Sequence, residues 1–359
     1  MGSSPMAQRS GSVPLRAYLR PLLVCDISVS PSCSTESLLR VCRECGPKEW
    51  RSDTSTWDDF TVTPVRGGLT NLMYACAHNS IRVVVRVYGA NSDAFNERDG
   101  RVTKALGEVG MGKQVYGFFQ NGRVEGWIQG RTLQPGELVD PDIAPLVGTK
   151  MAELHTLSLY ENEGESGTER EEERVPTLWS LLHSWMDESE SVTFDKGSHN
   201  AQRLEALDLP RWREYAREVE VALASTSSPV VFAHNDLHAG NILYDPSSHS
   251  ASLIDWEFAS WSYRDFDIAN YMGEVHDCDP DLFPTQSQQS HFLRGYCSVA
   301  GGEWQDLYRL AVPWVPVSHL LWGFWGVIQA YKSHIPDFDY LEYARMRFES
   351  LKRCTVQNE

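Results

Sequence analysis

No run of this 359-residue chain stays apolar long enough, without interruption, to read as a membrane span. The longest candidate, Leu310 to Ala330, is broken by Pro313 and Pro316 and carries Ser318, His319 and Gln329, so a buried helix is the better reading. At the N-terminus the one apolar cluster, Leu22 to Val24, is too short for a signal-peptide core, and a cytoplasmic protein without membrane insertion is expected. Basic residues are outnumbered, with 32 Lys and Arg against 49 Asp and Glu and a net charge of −17. That balance excludes nucleic acid and anionic membranes as main partners, since both reward clustered cations, and it would attract a small cation. The eight cysteines lack the regular spacing of a disulfide-stapled secreted domain and read as reduced thiols. Cys42 and Cys45 form a C-x-x-C with no second pair to complete a zinc site. There is also no Walker phosphate loop, no D-F-G with a following A-P-E element, and no internal repeat at the periods of about 20–50 residues that mark solenoids.

What the chain does have is V-V-F-A-H-N-D-L-H-A-G-N-I-L-Y from Val230 to Tyr244, followed by L-I-D-W-E-F from Leu253 to Phe258. Phosphoryl transfer needs a carboxylate beside the acceptor hydroxyl and hard oxygen ligands for Mg²⁺ on the nucleotide phosphates, because positioning and charge neutralisation supply most of the catalysis. Asp236 fits the first role. Asn241 and Asp255, with Glu257 close by, fit the second, since Mg²⁺ takes few protein carboxylates and keeps waters and phosphate oxygens. His234 is read as fixing the loop rather than as a base.

Along the chain, residues 1–33 read as a loosely ordered leader rich in Ser, Pro and Gly, and Ser34 to Cys45 as an amphipathic helix capped by Ser34 or Thr35. Strands are expected at Phe60–Pro64, Leu72–Ala77 and Ile81–Tyr88, a helix from about Ser92 to Val109, and strands Val115–Gln120 and Arg123–Gln129 joined by Asn121-Gly122. The fold class is therefore α+β and bilobal, like a protein kinase: a five-stranded antiparallel sheet plus a helix over 34–130 for the nucleotide, then a mostly helical part over 131–359 for catalysis and the acceptor. Helices are expected at Ile143–Leu159, Thr177–Met186 and Pro210–Ala224, with the acidic run 161–174 as a solvated flexible loop.

Gly67, Gly68, Thr70 and Asn71 fall where the first two strands would bend over the nucleotide, and glycine lets backbone amides approach phosphate closely. In Ile81–Tyr88, alternation puts Arg86 on one face with Val84 and Tyr88, where an unpaired cation would be costly. Nucleotide phosphates together with Asp99 or Glu97 of the next helix would supply its anionic partners.

With those residues in place, the chain resembles the choline/ethanolamine kinase family from about Leu38 to Lys352. The strings that carry the resemblance are T-P-V-R-G-G-L-T-N at Thr63–Asn71, V-V-R-V-Y-G at Val84–Gly89, H-N-D-L-H-A-G-N, I-D-W-E-F with F-D-I-A-N at Phe266–Asn270, H-L-L-W-G-F-W at His319–Trp325, and F-D-Y-L-E-Y-A-R-M-R-F at Phe338–Phe348. The resemblance implies Asp236 as the catalytic aspartate, Asn241 and Asp255 as magnesium ligands with Glu257 assisting, and Arg86 at the ATP-binding basic position. It also implies Asp267 as a brace of the catalytic loop, Glu274 as an acid near the amino-alcohol pocket, and Trp322, Trp325 and Tyr343 as aromatics around the ammonium. ATP and Mg²⁺ are the implied cofactors, ethanolamine or choline the implied partner, with a homodimer as an open option.

Trp322 and Trp325 lie three apart on a helix and so share a face, which suits an aromatic core or an ammonium pocket alike. A trimethylammonium wants an aromatic box, whereas a primary ammonium has three donors that need acceptors. The acidic V-H-D-C-D-P-D-L-F after Glu274, where choline kinases tend to present an aromatic, and the W-I-Q-G of Trp127–Gly130 turn the reading toward ethanolamine kinase. Its product, phosphoethanolamine, would feed phosphatidylethanolamine synthesis. Choline or dual kinase activity, an aminoglycoside-type phosphotransferase, and a scaffold without catalysis are the alternatives.

Overall fold

The computed structural model describes residues 13–14, 24–30, 33–65, 71–88, 93–157, 159–160, 174–275, 283–333 and 338–356. Gly67, Gly68 and Thr70, residues 161–173 of the acidic run, and 276–282 after Glu274 lie outside the described residues.

The first part of the chain contains β1 (Val13–Pro14), β2 (Val24–Cys25), α1 (Thr35–Cys45), α2 (Lys48–Arg51), β3 (Thr61–Val65), β4 (Asn71–His78), β5 (Ile81–Tyr88), α3 (Asp93–Glu108), β6 (Val115–Phe119) and β7 (Gly122–Gly126). Helix α1 starts where Ser34 Oγ accepts the Ser37 N–H at 3.2 Å, and it buries Leu38, Val41, Cys42 and Cys45 against the sheet. The sheet order is β2-β6-β7-β5-β4-β3. Five strands run antiparallel as expected, and β2, from the segment read as leader, adds a sixth in parallel along β6. Strand β5 is paired on both sides, so residues 83–87 are buried throughout, as its Val-rich run requires.

The hairpin differs from expectation by one residue. Phe119 pairs with Gly122, which makes Gln120-Asn121 the turn. Glycine is needed at 122 for space, because a Cβ there would lie 2.2 Å from the Arg86 carbonyl oxygen. Cys25 is joined to Cys45 as a disulfide with Cα atoms 6.4 Å apart, which departs from the all-reduced reading and follows from β2 lying against α1.

The second part contains β8 (Arg131–Thr132), α4 (Ala144–His155), β9 (Leu159–Tyr160), α5 (Leu178–Ser189), α6 (His199–Ala206), α7 (Leu209–Leu223), β10 (Val230–Ala233), β11 (Ile242–Asp245), β12 (Ser250–Leu253), β13 (Ser260–Tyr263), α8 (Arg264–Gly273), α9 (Gln286–Ala300), α10 (Trp304–Ala311), α11 (Val315–Lys332) and α12 (Tyr340–Val356). Pro316 sits in the first turn of α11 and Pro313 opens the 3-10 turn Val312–Trp314, positions where the missing N–H is harmless, so the prolines begin helix α11 instead of interrupting it. The stretch Trp304–Lys332 is long and apolar enough to cross a membrane by length and composition, and its most apolar window is 78% buried inside the protein.

One apolar cluster fills the sheet and α1, a second joins α4, α8 and α9, and a third joins α5, α7, α11 and α12. Val102, Ala105 and Leu106 of α3 belong to the second cluster with Phe232, Leu253 and Trp256. The helix that carries Asp99 is thereby packed onto the strands that carry the H-N-D and D-W-E segments.

Candidate active site

The loop after β10 is held from behind by Asp267 on α8. Its carboxylate, fully buried, accepts the backbone N–H groups of His234 at 2.9 Å and Asn235 at 2.7 Å. His155 Nε2 lies 2.9 Å from the same carboxylate, and His155 Nδ1 lies 2.8 Å from the Tyr296 hydroxyl. Because Asp267 can only accept, the ring donates from Nε2. Burial opposes the charge of Asp267, and the hydrogen bonds and charge of His155 hold its carboxyl below the ordinary range nonetheless.

This grip keeps Asn235 in the left-handed region, φ 65°, with its Nδ2 donating to Phe258 O at 2.9 Å and Ser260 Oγ at 2.8 Å. A non-glycine residue is held there only by surrounding bonds. His234 donates from Nε2 to Ile254 O at 3.0 Å, tying the loop to the strand before Asp255, and burial pushes its pKa down. His234 and Asp267 thus both sit as loop fasteners.

Asp236 emerges beyond that bend. Asn241 Nδ2 donates to Asp236 O at 2.9 Å and to Asp236 Oδ2 at 3.1 Å, which leaves the Asn241 carbonyl oxygen directed elsewhere. Asp255 also has positive φ, 67°. Burial raises the Asp236 carboxyl well above the usual range, and the negative charges of Glu274, Glu257 and Asp255 add to it. Burial, with Asp255 and Asp99 behind it, pushes Glu257 up to about 8. Four acids crowded so that two resist ionisation fit a divalent cation, and an Asn carbonyl with one or two carboxylates suits Mg²⁺. Among the described residues no group of three His, Cys, Asp or Glu side chains is arranged to hold a metal ion.

Arg86 is 4% exposed in the middle of the sheet, directly opposite Arg123 on β7. Two guanidiniums side by side on one face repel each other, so the acids around them decide the arrangement. Arg123 takes Asp99 at 2.7 Å and Glu125 at 2.6 Å, and Lys113 takes the other Glu125 oxygen at 3.2 Å. Arg86 reaches Asp255 Oδ1 at 3.2 Å, while Glu125 and Asp99 stand at 3.6 and 3.9 Å. Of the two acids expected to partner Arg86, Asp99 is therefore bound chiefly to Arg123 and the Glu97 side chain lies outside the described residues, while Arg86 points at Asp255. Burial works against the charge of Asp255, and Arg86, Arg123 and Lys113 overcome it, holding that carboxyl low. Asn71 opens β4 opposite Tyr88.

At the other end, Glu274 closes α8 and is ion-paired with Arg347 of α12. The same guanidinium nitrogen donates to the Tyr343 hydroxyl at 2.8 Å, and its carbon lies 4.9 Å from the centre of that ring. Trp322 is only 3% exposed, and its indole N–H donates to Asn270 Oδ1 at 2.8 Å. Its ring packs edge-on against Trp325 at 5.7 Å, and Trp325 continues to Tyr343 at 5.9 Å. The aromatic row is real, with Trp322 at its buried base and Trp325 and Tyr343 half-buried.

Several residues here escape pattern reading: Arg123, Glu125 and Lys113 around Arg86, His155 and Tyr296 behind Asp267, Arg347 beside Glu274, and His238. His238 accepts the Gly240 N–H at Nδ1, 3.1 Å, which places its own N–H on Nε2, 3.9 Å from Asp236 Oδ2. The strand alternation of Arg123 and Glu125 could have signalled inward charge. Of the others, Lys113 meets Glu125 12 residues on, Arg347 meets Glu274 across 73 residues and His155 meets Asp267 across 112, and His238 depends on a single ring nitrogen.

A family model described as choline/ethanolamine kinase matches residues 62–352. The probable ethanolamine kinase A of Dictyostelium discoideum is 31% identical over 309 residues, covering 81% of this chain and 84% of that one. Choline/ethanolamine kinase of Homo sapiens is 31% identical over 345 residues, covering 86% and 83%. The solved structure of a Plasmodium vivax ethanolamine kinase shares the fold with a TM-score of 0.72 and 25% identity, over 88% of each chain. With the H-N-D loop and the acid cluster inside the matched span, this chain belongs to the choline/ethanolamine kinase family.

Proposed function

We propose that this kinase transfers the γ-phosphoryl group of ATP to the hydroxyl of ethanolamine, giving phosphoethanolamine. The observation that carries the reading is the Asp236 carboxylate, hydrogen-bonded to Asn241 at 3.1 Å and placed among Asp255, Glu257 and Glu274. In this reading Asp236 takes the hydroxyl proton as the oxygen attacks phosphorus. Its raised proton affinity suits a base that works near neutral pH. Asn241 holds Asp236 with its amide, and its carbonyl oxygen, with Asp255 and Glu257, would hold magnesium. Magnesium, when bound, neutralises the charge spread over the phosphate oxygens. Arg86 exchanges Asp255 for phosphate, with the Arg123, Asp99 and Glu125 group keeping it extended. Gly67, Gly68, Thr70 and Asn71 would cover the phosphates, in a nucleotide-binding part over 34–130 beside a catalytic part over 131–359. Glu274, Trp325 and Tyr343 face the ammonium, with Trp322 supporting them.

Choline is the second acceptor to measure, since an aromatic row suits a methylated cation and one relative is named for both substrates. Coupled assays with ATP, Mg²⁺ and each amino alcohol are expected to give a higher kcat/KM for ethanolamine. A higher value for choline ends the ethanolamine preference and leaves the kinase reading intact.

The acid cluster also makes a prediction about pH. Glu257 ordinarily titrates at 4.5 and is pushed up to about 8 in the fold, so between those values the native state keeps a proton that the unfolded chain has lost. The contribution of Glu257 to the stability of the metal-free protein therefore falls as pH rises from about 4.5 to about 8. Mg²⁺ competes with that proton. The rise in Tm on adding Mg²⁺ is expected to be larger at pH 8.5 than at pH 6, and an equal rise at both would remove Glu257 from the metal site.

A further inference from the structure

The roles above leave one polar side chain of the base's own loop unused. His238 follows Asp236 by two residues and begins the 3-10 turn Ala239–Asn241. Its Nδ1 accepts the Gly240 N–H at 3.1 Å, and its carbonyl accepts the Asn241 N–H at 2.9 Å. A Cβ at Gly240 would stand 2.7 Å from His238 Cε1 and 3.1 Å from Nδ1, so the absence of a side chain there leaves the ring its place. With Nδ1 accepting, the ring proton is on Nε2, 3.9 Å from Asp236 Oδ2. Unlike the buried groups that fasten the loop from behind, this ring is open, its side chain 40% exposed and that of Asp236 16%. A ligand can therefore reach the N–H and the base together.

At 3.9 Å the two atoms are too far apart to bond each other, and near enough for one oxygen to bond both, at about 2.7 Å from the carboxylate and about 2.9 Å from the N–H. A hydroxyl suits that place, because it donates to the first and accepts from the second. A phosphate oxygen only accepts, and would face the Asp236 charge. The other groups around the carboxylate do not supply this donor. Glu274, Glu257 and Asp255 are acids, the Asn241 amide is engaged by Asp236 O and Oδ2, and Arg347 Nη2 serves Glu274 and Tyr343.

We infer that His238 is a further catalytic residue, whose Nε2–H donates to the acceptor's hydroxyl oxygen while that hydroxyl donates to Asp236. The inference rests on the amino-alcohol kinase reading and adds to it the group that holds the attacking atom. As the oxygen bonds to phosphorus, its O–H bond breaks and the proton passes to Asp236. The bond from phosphorus to the ADP oxygen breaks in the same step, and its electron pair leaves with ADP. His238 keeps its proton throughout. While the O–H bond gives way, the attacking oxygen carries more negative charge than in the bound alcohol, so the bond from Nε2–H strengthens toward the transition state. Losing that bond therefore lowers kcat more than it raises KM.

Two substitutions separate this role from that of a turn cap. His238→Asn keeps an oxygen near the Nδ1 position, where it can accept the Gly240 N–H, and has nothing at the Nε2 position. His238→Gln places an amide N–H near the Nε2 position and gives up the cap. Both are compared with the full-length wild type in coupled assays with ATP, Mg²⁺ and ethanolamine, with Tm measured alongside. His238→Asn is expected to lose at least about tenfold in kcat, with the KM for ATP within about threefold and Tm unchanged. His238→Gln is expected to recover most of that kcat even where its Tm is lower. The opposite order, with His238→Asn as active as wild type and His238→Gln impaired, would assign His238 to the turn alone, and equal activities in the two variants would overturn the inference as well. Should His238→Gln fail to fold, the kcat of His238→Asn decides by itself. A wild type that phosphorylates neither ethanolamine nor choline would instead strike the reading on which the inference rests.

Discussion

Replacing Asp236 with Ala is expected to lower kcat by about 10²–10⁴-fold while leaving the KM for ATP within about threefold, the size of effect that a positioned base supplies. The carboxylate touches Asn241 and stands apart from the Arg86 group that would meet the nucleotide, so donor binding should survive its removal. The accompanying stability result is the more diagnostic one. Asp236 carries a carboxyl raised by burial and by Glu274, Glu257 and Asp255, so its charge is held at a cost to the fold. Asp236→Ala should therefore unfold at the same denaturant concentration as wild type or a higher one, the pattern of a residue kept for function against stability. An active Asp236→Ala enzyme would remove the base assignment, and a strongly destabilised one would show that the residue serves the fold instead.

Asp267→Ala should do the reverse, with the fold failing first. Its carboxylate satisfies two backbone N–H groups and one imidazole, all buried, and each orphaned donor costs about 1–3 kcal/mol. Breaking a buried charged pair by removing one partner costs about 3–5 kcal/mol, which is a large share of a typical domain's stability. Urea unfolding of the metal-free protein should show a midpoint shifted down by that much. Activity should fall with it, because Asn235 then loses the backbone bond that helps to hold its left-handed conformation and Asp236 loses its aim. Asp267→Asn preserves the shape and one acceptor oxygen but turns an amide toward donors, and should fall between Ala and wild type. A wild-type midpoint in Asp267→Ala would mean that the loop is held by Phe258, Ser260 and Ile254 without it.

The strand and helix pattern was largely legible, for physical reasons that particular segments make plain. Ile81–Tyr88 is central because a Val run can be buried on both faces, and α1 begins at Ser34 because a hydroxyl there can take an amide left over by the helix. The hairpin was misjudged by one residue because Asn-Gly was read as a turn preference, while Gly122 is there to let the Arg86 carbonyl pass. The sixth strand went unseen because two residues, Val24-Cys25, carry no period of their own and gain a strand only from the edge of β6.

The candidate site divides in the same way. By itself the sequence determined the chemistry: the H-N-D-L-H-A-G-N and I-D-W-E strings place acid and amide groups at the ends of short strands, within a local reach that chain geometry nearly dictates. The tertiary structure alone decided the pairings. Arg86 turns to Asp255 because Arg123, opposite it in the register, has claimed Asp99, and a buried cation goes to whichever acid remains. Glu274 and Arg347 are 73 residues apart, His155 and Asp267 112, and charges so distant in sequence meet only after helices with no local preference for one another have packed. Spacing along a strand is set by bond lengths, whereas partnership across a core is set by which buried charges are left without water.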